Sequence, residues 1–208
     1  MGNRNYKILL CVLILILGSS CVGGKYVYDF DTGKRLDFSE GKWIFNDVHS
    51  NSEPKNNKRL HMESYAAFKK ILGDSLIDLT ALRNSSLVKP VLKFEPTQSE
   101  LKALYQNSKC DFLINVKGQI ISNNASGFYS NDQRLNYSTS NRSAVFIKIF
   151  DLKNGVLISS SNGQAISTEE HSDLEKDGAL NWTTRAEPMM IRAAEGLILK
   201  YNKYRTDK

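Results

Sequence analysis

Phe112–Ile121, FLINVKGQII, constrains the fold more than any other segment of this chain. Its near-continuous apolar character suits a strand covered on both faces, at the centre of a sheet. It follows directly on a helix whose start is written into Thr97-Gln98-Ser99-Glu100. There the threonine oxygen and the glutamate carboxylate each satisfy a free backbone N–H, forming a capping box. The helix carries Leu101, Leu104 and Tyr105 and ends near Ser108. A helix feeding a doubly covered strand means helices packed on a sheet.

The flanking segments extend that pattern. Lys42–Val48, KWIFNDV, is a compact apolar run suited to a buried strand, and His49–Lys58 is a polar loop. From Leu60 to Leu79, the residues Met62, Tyr65, Phe68, Leu72, Leu76 and Leu79 recur at three- and four-residue steps, one face of an amphipathic helix. Gly73 weakens that helix by about 1 kcal/mol relative to alanine and marks a kink or break. Leu87–Phe94 alternates like a strand, and Pro90 places it at an edge or bulge. Ser143–Phe150 alternates cleanly, Lys153-Asn154-Gly155 turns, and Val156–Ser161 returns as its hairpin partner. The chain closes with a helix from Pro188 to about Tyr204, whose core face is Met190, Ile191, Ala194, Leu197, Ile198 and Tyr201. At the other end, Tyr26, Tyr28 and Phe30 alternate with Val27 and Asp29 before an Asp31-Thr32-Gly33 turn, an N-terminal hairpin or docked tether. The expected fold is α/β: a single domain with a mixed β-sheet of about five strands packed with three helices, plus a short N-terminal hairpin. The expected divisions are 1–20, 21–41 and 42–208.

The first two dozen residues set the address. Arg4 and Lys7 precede the apolar run Ile8–Leu17, which is followed by Gly18, Ser19, Ser20 and Cys21. Ten apolar residues are too few for a membrane-spanning helix, which needs about 20, and suit the core of a secretory signal peptide. Small residues leading into cysteine resemble the lipobox of bacterial lipoproteins, although Gly18 stands where that motif usually has leucine. The resemblance implies cleavage before Cys21, acylation of Cys21 by palmitate-type chains, and a lipid-anchored place in the bacterial outer membrane, facing the periplasm. Val22-Gly23-Gly24 after the cysteine, with no aspartate, implies the outer rather than the inner membrane.

Cleavage leaves 188 of the 208 residues and 26 basic against 22 acidic side chains, since Arg4 and Lys7 depart with the leader. An exported protein meets no chromosome, so this basic balance does not point to nucleic acid. The clusters Lys55/Lys58/Arg59 and Lys200–Lys208 read as solvated ends. Cys11 leaves with the signal and Cys21 carries lipid, so Cys110 is left without a disulfide partner and reads as a small buried hydrophobe.

Three phrases carry a family likeness: Ser108-Lys109-Cys110-Asp111-Phe112-Leu113-Ile114, the Ile149–Leu157 hairpin, and the closing helix Ala193–Tyr201. Together they resemble bacterial envelope lipoproteins with a TolB N-terminal-like or curli-secretion-like α/β domain, over about residues 42–204. That likeness implies envelope assembly factors, secretion accessories or binding modules, without an active site to carry over. One branch of the group extrudes strand hairpins to form an outer-membrane pore. The polar stretches Ser122–Asn141 and Asn162–Arg185 lack the apolar-out alternation that spanning strands need, so no pore is expected here.

No other motif announces catalysis. His49, His61 and His171 are scattered, without the i,i+4 spacing of a helical metal site, and neither metal nor cofactor is expected. Glu169-Glu170 and Asp173/Glu175/Asp177 read as a solvated loop. The candidate binding surface is Phe128, Tyr129, Arg134 and Tyr137 of the first polar loop, joined by Trp182 and Arg185 of the second. Tyr, Trp and Arg dominate binding energy at protein interfaces. The expected function is a non-catalytic, membrane-anchored binding or assembly module. The alternatives are an envelope glycan-acting enzyme with a dispersed site and a secretion-channel accessory subunit. Expected partners are the membrane, an envelope protein or glycan, and further copies of the chain.

Overall fold

The computed structural model describes residues 24–83, 92–123, 138–170 and 184–207. Within them run β1 (Lys25–Thr32), β2 (Trp43–Phe45), β3 (His49–Ser50), α1 (Pro54–Leu72), β4 (Leu76–Asp78), α2 (Leu79–Arg83), α3 (Gln98–Ser108), β5 (Phe112–Ser122), β6 (Ser138–Asp151), β7 (Val156–Glu170) and α4 (Ala186–Tyr204). All seven strands join one mixed sheet in the order β1-β7-β6-β5-β2-β4, and β3 pairs with β5 beyond the end of β2. β2 lies parallel to both β4 and β5, whereas β5, β6, β7 and β1 are successively antiparallel. The class is α/β as expected. Seven strands replace about five, and four helices stand where three were expected.

β5 is central, and its alternation divides the core in two. Ile114 and Val116 face α1 and α4, in a cluster that includes Trp43, Phe45, Phe68, Ile147, Leu197 and Tyr201. Leu113 faces the opposite way, into a smaller cluster with Ile44, Leu79, Leu101, Leu104 and Phe150. Beyond Val116, Lys117 and Gln119 are exposed on that second side. Double coverage therefore holds for the first half of the strand. α3 begins as expected: Thr97 Oγ1 accepts from Glu100 N at 3.3 Å while Glu100 Oε2 accepts from Thr97 N at 2.9 Å. The β6–β7 turn ends on Gly155 at φ 68°, and the Asp151 carboxylate accepts from both nitrogens of Asn154. All six residues expected on the core face of the last helix are buried.

Five expectations are corrected. The long helix starts at Pro54 and stops at Leu72, because Gly73 adopts φ 56°, and Leu76 and Leu79 belong to β4 and α2. Met62 points outward, 58% exposed, and Leu60 and Ser64 take the inner face with Phe68 and Leu72. The N-terminal segment is not a hairpin. β1 pairs with β7, from Lys25 opposite Ile166 to Thr32 opposite Ser160, and forms one edge of the main sheet. Most of Leu87–Phe94 lies outside the described residues, and Leu92–Phe94 is no strand. Its carbonyls accept from Asn46, His49 and Asn115 side chains instead. Finally, β7 runs to Glu170, so 162–170, expected as loop, is strand.

Candidate functional site

Phe128, Tyr129, Arg134, Tyr137 and Trp182 lie outside the described residues, as does Cys21. Arg185 is described: it is exposed and stands at the N-cap position of α4, with no side-chain hydrogen bond to the helix start. The residues bordering these segments converge. Ser138 pairs with Glu170. Asn123 accepts from Ala186 N at 3.1 Å and donates to Glu187 at 2.9 Å. Asn141 donates to the Thr184 carbonyl at 3.1 Å. Gly24, three residues after Cys21, sits beside Met189 and Ile166. The chain thus enters the sheet at the same end from which both polar segments depart.

A groove runs along β1. It is lined by Tyr26 to Phe30 of β1, by Lys34 after the turn, and by Lys200 and Tyr204 on α4, and its volume is about 410 Å³. The sequence builds it locally. Gly33 turns the chain at φ 62°, where a Cβ would lie 2.0 Å from the Ile158 carbonyl oxygen, so only glycine delivers Lys34 to this place. Lys200 and Tyr204 are four residues apart and share a helix face. Lys34 Nζ lies 4.2 Å from the Tyr204 ring centroid, and Lys200 Nζ lies 5.6 Å from that of Tyr28. Such cation–π contacts contribute about 0.5–1 kcal/mol each at exposed sites.

Among the described residues, the strand beside this groove pairs along one edge alone, with β7. Ile120 exchanges both backbone groups with the Asn51 side chain, at 2.7 and 2.9 Å, so even-numbered residues of β5 aim away from β6. Antiparallel alternation then carries across the register, with Lys117 opposite Phe146, Val145 opposite Gly163 and Val27 opposite Gln164. Lys25, Val27 and Asp29 therefore bond to β7, while Tyr26, Tyr28 and Phe30 turn their amides and carbonyls outward. Phe30 N–H agrees with this, donating to Asp29 Oδ1 at 2.9 Å.

Tyr28 fixes the strand to α4. Its ring rests on Gly163 and Gly196, and a Cβ at Gly196 would come within 1.9 Å of Tyr28 Oη. Burial pushes the Tyr28 phenol above its ordinary pKa. A Gly196→Ala substitution gains up to about 1 kcal/mol of helix propensity but forces overpacking worth about 1–3 kcal/mol. The expected result is a net loss of stability of about 1–2 kcal/mol, with faster amide exchange confined to β1. A gain in melting temperature would contradict this packing.

Elsewhere the polar groups serve the fold. The Tyr201 hydroxyl is buried between Ser159 and Ser161, 2.8 Å from each, and burial raises its pKa. His61 in α1 pairs with Asp78 at 2.8 Å beneath Phe45 and Tyr65. His49 contacts the Leu92 carbonyl, and His171 lies outside the described residues. Cys110 is buried, and desolvation pushes its thiol up, away from the reactive thiolate. The groove escaped the sequence reading because its parts lie 170 residues apart; the period-two aromatics read as sheet packing, which Tyr28 and Phe30 also perform.

No family model matches this sequence, and no curated protein matches it. The fold is similar to several solved structures. The PelC dodecamer from Paraburkholderia phytofirmans aligns with 85% of this chain and 97% of its own at TM-score 0.45 and 8% identity. The lipoprotein GNA1162 from Neisseria meningitidis aligns with 68% of this chain and 88% of its own, at TM-score 0.39 and 8% identity. The hypothetical protein CT253 from Chlamydia trachomatis aligns with 80% of this chain and 98% of its own, at TM-score 0.39 and 12% identity. All three TM-scores fall below 0.5 at low identity, so what the groove does follows from its own residues.

Proposed function

We propose that this protein is a bacterial envelope lipoprotein, anchored in the outer membrane through acylated Cys21 and facing the periplasm. It works by binding another envelope component rather than by catalysis. The observation that carries the reading is the distance between lipid and fold. Lys25 is already paired with Ile166, only four residues after Cys21. At about 3.5 Å per extended residue, the leash is at most about 14 Å long. An acylated Cys21 would hold the sheet against the bilayer surface, with β1 leading away from it. A groove beside a strand held in that way suits recognition of a neighbour in the envelope. The resemblance to TolB N-terminal-like and curli-secretion-like domains, which act mostly without catalytic residues, supports the same reading.

Intact-mass and peptide analysis of the protein purified from membranes tests the anchor. The expected mature chain begins at Cys21 and carries a diacylglyceryl group on its sulfur. A chain beginning elsewhere, or a free Cys21 thiol, overturns the anchor.

A further inference from the structure

We infer that the open edge of β1, with the groove beside it, receives an extended acidic segment of a partner protein as an added strand. The inference deepens the binding role proposed above and names its site. Tyr26 and Tyr28 turn their backbone groups outward, so a strand laid along them completes two residues of ladder. The groove is lined by five consecutive residues of β1. Side chains alternate between the faces of a strand, so a wall touching all five includes the strand's edge. A pocket for a compact ligand has no need of that edge, whereas an added strand does. Main-chain bonds supply the affinity in this mode, and alternate side chains entering pockets supply selectivity.

The charges name the partner's chemistry. Residues directly opposite Tyr26 and Tyr28 would project their side chains onto the same face as those tyrosines, into the groove. There they meet the ammonium groups of Lys34 and Lys200, which rest over Tyr204 and Tyr28. The nearby carboxylates are committed elsewhere: Asp29 accepts from Phe30 N–H, and Asp31 accepts from Ser160 at 2.8 Å. Carboxylates on alternate residues of the incoming strand therefore fit. A second copy pairing antiparallel through β1 fits less well, because the two Cys21 leashes would leave opposite ends of the joined edge. That comparison rests on the anchor proposed above.

Fluorescence anisotropy with the full-length protein in detergent tests the site, using labelled Thr-Glu-Thr-Glu-Thr-Glu-Thr as the probe. Saturable binding is expected, at least about tenfold tighter than for the lysine counterpart Thr-Lys-Thr-Lys-Thr-Lys-Thr, the scale of one 1.4 kcal/mol interaction. N-methylation of the glutamate amides, which keeps charge and removes strand donors, should weaken binding by a further factor of about ten. Lys34 is exposed and Lys200 half-buried at the groove's rim, and the double substitution Lys34→Glu/Lys200→Glu should lose the acidic peptide and keep the wild-type circular dichroism spectrum. Equal binding of the N-methylated peptide means charge attraction without strand addition and overturns the inference. So does an absence of saturable binding, or a concentration-dependent dimer that the double substitution dissolves. None of these outcomes touches the mass of the anchor, so the two readings fail separately.

Discussion

Replacing Cys21 with alanine should move the protein almost completely from the membrane fraction to the soluble fraction. Each buried methylene of an acyl chain contributes about 0.8 kcal/mol, and a single chain gives only marginal, reversible binding, so stable attachment needs at least two. The lipobox resemblance implies that those chains sit on this one residue, so the alanine variant would lose them together. No helix among the described residues is long and apolar enough to cross a membrane, so no helical span there would mask the loss. The fold should be indifferent: Lys25 onward still pairs with β7, and the thermal transition should stay within about 0.5 kcal/mol of wild type, as for a substitution outside the packed core. Carbonate-washed membranes, blotted for wild type and variant side by side, read the result. Retention of Cys21→Ala in the washed pellet defeats the anchor. Wild type found free in the soluble fraction defeats it equally, and would return the leader to an ordinary signal peptide cut near Ser20.

How much of this architecture was legible depended on what each element buries. β2, β5, the second half of β6 and α4 announce themselves because their inward positions are large and apolar, such as Trp43, Ile114, Ile147 and Leu197. β7 does not. Its inward positions are Ser159, Ser161, Gly163, Ala165 and Ser167, all buried and all small. They are small because Tyr201, Tyr28 and the backbone of α4 occupy the space that larger side chains would fill. A hydrophobic alternation cannot show through such residues, and 162–170 therefore reads as a polar loop. β1 alternates visibly, but its partner residues lie 128 to 141 positions away, a distance that local pattern does not span. The same distance hid the candidate groove, whose walls come from both ends of the chain.

These readings meet in one strand. β1 begins four residues after Cys21, the proposed anchor, closes the sheet on β7, seats Tyr28 against Gly163 of β7 and Gly196 of α4, and leaves its other edge open among the described residues. Edge strands invite unwanted pairing, and charged residues commonly guard them. Asp29 does so here, covering the Phe30 amide, while Tyr26 and Tyr28 keep the upper edge open beside the two lysines. The guard is partial, and that selective opening favours one kind of incoming strand over indiscriminate association.

Trp43→Ala should cost about 3–5 kcal/mol, the usual range for deleting a buried tryptophan. Trp43 is fully buried in β2, between β4 and β5. Its ring stacks on Phe112 with centroids 4.3 Å apart, Phe38 tilts against it at 5.1 Å, and its indole N–H donates to the Glu40 carbonyl at 3.1 Å. The surrounding walls are strands pinned by parallel ladders, so collapse into the vacated space is restricted and the cavity term persists. Domains of this kind carry about 5–15 kcal/mol in total, so the substitution removes a large share of it. With a urea slope of about 2 kcal/mol per molar, the midpoint should fall by about 1.5–2.5 M. Circular dichroism is the appropriate signal, because the substitution removes one of the two tryptophans that fluorescence would follow. Trp43→Phe keeps an aromatic face for Phe112 and should lose no more than about 1.5 kcal/mol. A Trp43→Ala loss below about 1 kcal/mol, the range of surface substitutions, would mean that the ring is not packed at the junction of the parallel and antiparallel halves of the sheet. The order of the three proteins, wild type above phenylalanine above alanine, is what a ring held on both faces requires.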